Sequence, residues 1–299
     1  MFRVLLSIVL SAVMASTSAQ ESSATAQPDV GFSIIRTGKV AVREGMLYAG
    51  GSFGKEVETN FSAILVKHGR ELFLFDSGIG SKIAEQYRQD MPLWARPFFK
   101  YEDPVTPAQA QLLQAGFPPI ERIILSHSHW DHASALDDFP RAQVWASAPE
   151  MQVIRDAGKS FGGSWPSQVS SATIDWHTLE FKPVPYEGFD SSIDLFQDGR
   201  VVLVPLYGHT PGSVGMFVTV DSGKRYFFIG DVVWRADALA NGDPKFWPAR
   251  VLVDHAGDRT QQTIEQIRRV MAKDPALVVI PAHDASVQGA LGYFPQWVK

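Results

Sequence analysis

Short apolar runs separated by turns that contain Gly, Pro or Ser recur along the chain and predict alternating strands and helices. Strand patterns cover residues 32–37, 61–67, 71–75, 201–206, 213–220, 226–229 and 276–280. Two of these runs flank His68-Gly69, which is typical of a hairpin turn. The spacing therefore predicts a framework whose strands are distributed over most of the chain.

Helical signals appear in fewer places. Thr106, Pro107 and a glutamine three residues after the threonine predict a capped helix start, and Gly116 is a typical stop. Residues 260–271 place apolar side chains on one face of a helix. No repeat or linker interrupts the pattern, so we predict one α+β domain, a sandwich of sheets with outer helices.

The first residues differ in composition from the rest of the chain. Arg3 is followed by an apolar stretch and then by small residues, the pattern of a secretory signal peptide. We predict a signal peptide over residues 1–19 (with 26 as an alternative cleavage site), a disordered leader over 20–30 and a folded domain over 31–299. The apolar stretch is short for a membrane span. We therefore expect a periplasmic or secreted protein with no stable membrane span after processing, and an uncleaved anchor is the alternative.

Composition adds further limits. The chain has 299 residues, of which 45% are hydrophobic and 20% charged, as in ordinary globular proteins. Its formal net charge is -5, so nothing predicts binding to nucleic acid. It has no cysteine, which removes disulfides, thiolate metal ligands and cysteine nucleophiles.

The densest group of chemically active side chains follows the apolar residues 122–126. His127, His129 and His132 stand within six residues of one another, together with Asp131. Imidazole and carboxylate groups suit zinc and related metals, and a turn after a rigid strand can hold them in fixed geometry. The alternative is a polar loop that happens to be rich in histidine.

Three later strand patterns lead to His209, Asp231 and His283. Each of these residues alone would more often be a capping, turn or packing residue. Together with the first cluster they supply five histidines and two aspartates, enough to hold two metal ions. The joint pattern therefore predicts a metal centre where the strands end.

With these residues and the Asp76-Ser77-Gly78 turn, the chain resembles the metallo-β-lactamase superfamily of metal-dependent hydrolases. Its motifs are most similar to those of quorum-quenching acyl-homoserine lactonases. The resemblance implies a four-layer αββα sandwich with the active site along one edge of the sheets. It implies one metal ion on His127, His129 and His209, a second on Asp131, His132 and His283, and Asp231 as the bridge between them.

The cofactor that this resemblance implies is a pair of divalent ions, zinc first, with manganese, iron or cobalt as alternatives. A bridging hydroxide would attack the substrate, with Asp131 and Asp231 as catalytic residues. We expect the opening of a lactone or related ester. The enzymatic alternatives are a phosphotriesterase, a glyoxalase II-like thioesterase and a β-lactam hydrolase. A protein that binds metal and ligand without turnover is the alternative from another class.

Two features bear on the substrate. The lactonases commonly carry a tyrosine three residues after the bridging aspartate, whereas this chain has Trp234, whose indole is no acid of phenol strength. Aromatic stretches at 91–101, 161–165 and 246–248, of which the first and the last contain proline, either line an apolar pocket or pack on the core or on a second copy. We expect a small-molecule substrate with an apolar group, and the sequence is compatible with an oligomer.

Other acidic and histidine residues have weaker assignments. Asp76 either orients a ligand histidine or caps its own turn, and Asp284 is a weaker candidate for the orienting role. His68, His177 and His255 match no motif. We interpret His68 as a turn residue and expect structural roles for the other two.

Overall fold

The computed structural model describes residues 29–299, so the predicted signal peptide and most of the predicted leader lie outside the described residues. The first strand begins at Val30, whose side chain is fully buried. β1 therefore includes Val30, which the sequence analysis assigned to the leader. No helix within residues 29–299 is long and apolar enough to cross a membrane.

Within the described residues the first sheet has six strands that follow one another in chain order. Their bounds are Val30–Arg43 (β1), Glu56–His68 (β2), Glu71–Phe75 (β3), Arg122–Ile124 (β4), Gln143–Ser147 (β5) and Asp175–Leu179 (β6). β1, β2 and β3 pair antiparallel, which confirms the predicted hairpin, whereas β4, β5 and β6 add in parallel. Because β3 and β4 are parallel, the turns that follow them lie side by side.

The second sheet of this described part has five strands in the order β11-β10-β9-β8-β7. Their bounds are Ile193–Asp194 (β7), Val201–Pro205 (β8), Val214–Thr219 (β9), Arg225–Phe228 (β10) and Val278–Ile280 (β11). Four of them were predicted from the apolar runs, with bounds that agree within two residues. β10 and β11 are parallel, so Asp231 and His283 emerge at the same edge.

The helices connect the strands and cover the sheets. Their bounds are Ile83–Asp90 (α1), Ala108–Gln114 (α2), Trp130–Ala133 (α3), Ala148–Arg155 (α4), Pro166–Val169 (α5), Ala236–Asn241 (α6), Trp247–Val253 (α7), Gly257–Lys273 (α8) and Ala285–Leu291 (α9). The predicted helices at 106–116 and 260–271 are confirmed. The predicted Thr106 cap is wrong, because its hydroxyl donates instead to Arg36 O of β1 at 3.4 Å.

The core of the described part has three apolar layers, and a fourth apolar cluster, which includes Phe61 and Trp165, lies beside the candidate site. Phe32 of β1 packs between the sheets, with its ring centre 4.9 Å from that of Tyr226 and 5.0 Å from that of Phe228. α2 covers the outer face of the first sheet, and α8 places Ile264 and Ile267 on the outer face of the second. Each such fully buried side chain contributes about 1.5–3 kcal/mol relative to exposure. The result is the predicted αββα sandwich.

Candidate metal centre

All seven residues predicted to form the metal centre meet at the edge where strands of the two sheets end. Among the described residues they form three groups whose potential ligand atoms lie within 4.8 Å of one another. Each residue keeps 7% or less of its exposure. The groups are His127, His129 and His209; His127, His132 and Asp231; and Asp131, His132 and His283.

The turn after β4 is fixed between the two sheets. Ser126 N donates to Asp76 Oδ1 at 2.6 Å, and Val214 N of the second sheet donates to Ser126 O at 2.8 Å. His127 and His129 are two residues apart in the segment before α3, whereas Asp131 and His132 lie on the single turn of that helix. This local break in backbone conformation divides the first cluster into two pairs.

The three-histidine group presents one nitrogen of each ring to a common centre. His127 Nε2 and His209 Nε2 are 3.2 Å apart. The other ring nitrogens already have protein partners: Ser126 Oγ at 3.0 Å from His127 Nδ1, Gly162 O at 2.6 Å from His129 Nε2, and Asp254 Oδ1 at 2.8 Å from His209 Nδ1. Since a carbonyl only accepts, His129 donates through Nε2 and keeps Nδ1 as the ligand atom.

The group of Asp131, His132 and His283 combines two histidines with a carboxylate. His283 Nε2 lies 3.2 Å from Asp131 Oδ2, and His132 Nε2 lies 3.7 Å from the same oxygen. His132 Nδ1 donates to Asp76 Oδ2 at 2.8 Å, and His283 Nδ1 donates to Asn60 O at 2.7 Å. Both rings therefore present their Nε2 atoms to the centre as potential metal ligands.

Asp231 lies between the three-histidine group and the group of Asp131, His132 and His283. Its Oδ1 is 3.2 Å from His132 Nε2, and its Oδ2 is 3.1 Å from His283 Nε2 and 3.7 Å from His209 Nε2. Among the described residues, Asp231 Oδ1 and His132 Nε2 are buried polar atoms without a hydrogen bond. Buried polar atoms are normally satisfied. A cation between these atoms would satisfy both, so the residues fit a pair of divalent ions with Asp231 shared.

Electrostatics differ between the groups. Burial, reinforced by the neighbouring imidazoles, lowers the pKa of His127 well below its usual value and lowers the pKa of His129 to about 4. Burial also opposes the charged form of His132, but Asp76 and the other nearby carboxylates raise its pKa well above the usual value. Burial would raise the pKa of Asp231, yet the His283 and His132 rings hold it well below the usual range.

Glu150 is a site residue that the sequence analysis missed. Its Oε1 accepts from Ser128 N at 2.7 Å and from the Ser128 hydroxyl at 2.5 Å, and its Oε2 accepts from the Thr210 hydroxyl at 2.6 Å. Ser128 lies between two predicted ligands and Thr210 follows a third, so one buried carboxylate joins both ligand loops. Ser147 and Glu150 form a capping-box pattern, but this pattern predicts a helix start rather than that contact.

Asp254 and Lys245 were also missed. Asp254 accepts from His209 Nδ1, and Lys245 Nζ donates to the same Asp254 oxygen at 2.8 Å. Burial would raise the pKa of Asp254, but Lys245 and His209 together hold it well below the usual range. Neither residue belongs to a motif, so no local sequence signal identifies them.

The weaker assignments have separate outcomes. Asp76 takes the orienting role, since its Oδ2 accepts from His132 Nδ1. Its carboxylate also accepts from Ser126 N and Oγ in the turn after β4, so the bond predicted to cap its own turn is not observed. Asp284 contacts no ligand ring; it caps α9 by accepting from Ser286 N at 3.0 Å.

The histidines without a motif have different environments. His68 is the last residue of β2 and stacks on Phe196 with ring centres 3.7 Å apart. His177 stacks on Trp145, with ring centres 4.7 Å apart. His255 is exposed. None of these three histidines belongs to the metal-ligand groups found among the described residues.

An apolar cleft leads to the candidate metal centre, and five of the seven residues line it. Two of the predicted aromatic stretches line it, through Met91, Phe98 and Phe99 and through Phe161 and Trp165. The third stretch does not, because Phe246 packs against Phe53 with ring centres 5.4 Å apart. Within residues 29–299, the cleft lining includes one lysine, Lys100, and no arginine. The cleft therefore suits a substrate with an apolar group more than one with several anionic groups.

A model of the metallo-beta-lactamase superfamily matches residues 60–283. This match covers well over half of the chain, so the chain belongs to that superfamily.

Curated relatives agree with this class. The chain is 28% identical over 197 residues to a probable metallo-hydrolase of Mycobacterium tuberculosis, an alignment that covers 59% of each protein. It is 22% identical over 179 residues to the N-acyl homoserine lactonase AttM of Rhizobium radiobacter, covering 58% of this chain and 62% of the relative. The chain thus aligns with about three fifths of the length of these relatives.

Solved structures show the same fold. One is an N-acyl homoserine lactone hydrolase with N-hexanoyl-L-homoserine at its catalytic metal center, with a TM-score of 0.69 at 14% identity, covering 91% of this chain and 100% of the other. Another is AidC, a dizinc quorum-quenching lactonase, with a TM-score of 0.58 at 16% identity, covering 91% and 92%. At these identities the likeness establishes the fold alone.

Proposed function

We propose that this protein is a dinuclear zinc hydrolase that opens a lactone, or a related ester, carrying an apolar group. The observation that carries the proposal is the orientation of the histidines. His129, His132, His209 and His283 each hold one ring nitrogen in a bond to the surrounding protein and leave the other facing the centre. Rings fixed in this way are pre-organised as ligands.

The ligand groups suggest how two ions would be shared. His127, His129 and His209 would hold one, Asp131, His132 and His283 the other, and Asp231 both. When bound, such a pair lowers the pKa of water toward neutrality and polarises a carbonyl oxygen. The protein's contribution is to fix the ligands in a buried edge that the apolar cleft reaches.

Asp131 and Trp234 would act differently near the substrate. Both line the cleft. Trp234 Nε1 donates to Asp231 Oδ2 at 2.8 Å, so the indole is committed to holding the shared carboxylate. Asp131 is the residue we assign to carry a proton to the leaving oxygen, because its carboxylate belongs to the group with His132 and His283 and lines the cleft.

The substrate class rests on the cleft and the relatives together. Its lining is largely aromatic and aliphatic, and one lysine offers little to bind phosphates or several carboxylates. The names of AttM and AidC describe them as lactonases. These two lines of support favour a lactone with an acyl or aryl group over a phosphotriester, a glutathione thioester or a β-lactam.

A metal and turnover assay on the purified protein tests the proposal. We expect about two equivalents of zinc by mass spectrometry, and hydrolysis of at least one lactone in a panel that also contains phosphotriesters, thioesters and β-lactams. Asp231→Ala should abolish hydrolysis, whereas the matched control Asp190→Ala, at an exposed position, should not. Metal without turnover of any panel member would favour a binding protein, and absence of metal would contradict both readings.

We also propose export to the periplasm or outside the cell. The support is the signal-peptide pattern of residues 1–19, which precede the described residues. Cell fractionation and the N-terminal sequence of the mature protein test this. A cytoplasmic protein that retains Met1 would contradict it.

A further inference from the structure

Lys245 is a buried lysine that the proposed reaction does not use. It lies between α6 and α7, its side chain is 1% exposed, and it does not line the cleft. A buried ammonium is unfavourable unless a carboxylate and further acceptors surround it. Its contacts therefore indicate which parts of the structure the charge holds together.

These contacts reach both sides of the metal centre. Lys245 Nζ donates to Asp254 Oδ1 at 2.8 Å and to Val232 O at 3.2 Å, and it lies 3.4 Å from His209 Nδ1. Asp254 Oδ1 also accepts from His209 Nδ1 at 2.8 Å, so the ammonium and the imidazole share one oxygen. Val232 directly follows Asp231 in the chain. One cation thus links the segment of the shared carboxylate to the acceptor behind His209.

Trp234 belongs to the same arrangement. Lys245 Nζ lies 5.5 Å from the centre of the Trp234 ring, within the range of a cation–π interaction. The indole nitrogen of Trp234 donates to Asp231 Oδ2 at 2.8 Å. Removing the ammonium would therefore loosen the ring that holds Asp231 as well as the carboxylate that holds His209.

The ion pair also closes the two ends of α7. Lys245 lies two residues before this helix and Asp254 directly after it. No residue of α7 is buried, and Trp247 and Val251 are 71% and 74% exposed. A helix without a buried apolar face needs other attachments to stay on the domain. Its last residue, Val253, lines the cleft.

We propose that Lys245 is a positioning residue that, through Asp254, fixes His209 and ties α7 to the metal centre, so that metal binding orders this helix. The inference rests on the proposed role of His209 as a ligand. It adds a mechanical link between that ligand, Trp234 and one wall of the cleft. A lysine that served only as a stabilising ion pair would change the melting temperature without changing metal affinity or the response of α7 to metal.

Zinc titration with a competing chelator and hydrogen–deuterium exchange of residues 246–253 test the link. In the wild type, zinc should slow exchange across α7. Lys245→Met should bind zinc about 10- to 100-fold more weakly, the usual effect of losing a partner behind a ligand, and zinc should no longer protect α7. The control Lys67→Met removes a partly exposed ion pair with Asp29 and should match the wild type in both measurements.

Lys245→Met leaves the Asp254 carboxylate without its cation, and the variant can fail to fold for that reason. The double variant Lys245→Met/Asp254→Asn removes both charges and should fold, still with weakened zinc binding. Wild-type zinc affinity in either folded variant would overturn the inference, as would the absence of zinc protection over α7 in the wild type, which needs no variant. A wild-type protein that binds no zinc would instead overturn the proposed metal centre, and this inference with it.

Discussion

The two halves of the proposed centre occupy the same edge but have different surroundings. His127, His129 and His209 meet one another as neutral rings, and burial lowers the pKa of each. In the other half, carboxylates surround the rings of His132 and His283 and raise their pKa despite burial. The first half is thus ready to accept a cation, whereas the second already holds compensating charge that a metal must displace.

This difference shows how one protein edge can hold two like-charged ions close together. A neutral ligand set leaves the full charge of one ion available, and an anionic set offsets much of the charge of the other. Asp231 serves both halves and links the two environments.

Removing one inner ligand from each half should have the largest effect. His209→Ala and His283→Ala should each lower kcat/KM by about a thousandfold or more, because several kcal/mol of charge stabilisation depend on each ion. Each variant should keep about one equivalent of metal. Metal analysis alongside steady-state kinetics checks this; a variant that keeps both ions would show that its histidine is no ligand.

Replacing a residue that hydrogen-bonds to a ligand or to its loop should have a smaller effect, confined to one half of the centre. Glu150→Gln should weaken the three-histidine half and Asp76→Asn the other, each lowering metal affinity about 10- to 100-fold. Asparagine tolerates the positive φ of 62° at position 76, so the backbone can stay unchanged. Chelator titrations measure the effect, with the exposed Glu121→Gln as control. Equal loss of both ions in each variant would contradict the division into halves.

The sequence predicts the seven candidate ligands but not all of the residues that hold them in place. The seven inner residues were predictable because each follows an apolar strand whose spacing is readable, and parallel strands bring their ends to one edge. The sandwich and its hairpin follow from the same local patterns.

Glu150, Lys245 and Asp254 could not be predicted because they act across long sequence separations from ordinary helices and loops. Lys245 meets His209 from 36 residues away and Glu150 meets Thr210 from 60. Their burial is set by packing of the whole domain and leaves no local pattern. Thr106 failed as a cap for a related reason, because its hydroxyl finds a tertiary partner in β1.

Acidification should release the two ions in sequence. Burial favours neutral rings, but carboxylates raise the pKa of His132 and His283, so protons compete for these ligands at comparatively high pH. In the other half the pKa values are lowered, to about 4 for His129, so protons compete only in more acidic solution. Metal content after desalting at stepwise lower pH should therefore fall first in the His132 half. Simultaneous loss of both ions would contradict the comparison. So would loss of the remaining ion at higher pH in His283→Ala than in His209→Ala.

Changes in the cleft wall should leave both halves intact and have the smallest effect. Phe161 packs on Trp94 and Phe99, with ring centres 4.7 and 5.5 Å apart. Phe161→Ala should raise KM roughly tenfold for a substrate with an apolar tail, with metal content unchanged. Kinetics with short- and long-tailed substrates check this, and the exposed Leu113→Ala serves as control. An unchanged KM would place the apolar group elsewhere.

Locating the metals in crystals of the zinc-loaded protein tests the central claim most directly. Anomalous scattering measured at the zinc absorption edge should show two peaks roughly 3.5–4 Å apart. One should lie among His127, His129 and His209, the other among Asp131, His132 and His283, with Asp231 touching both. A single peak, or two peaks that do not share Asp231, would contradict the account.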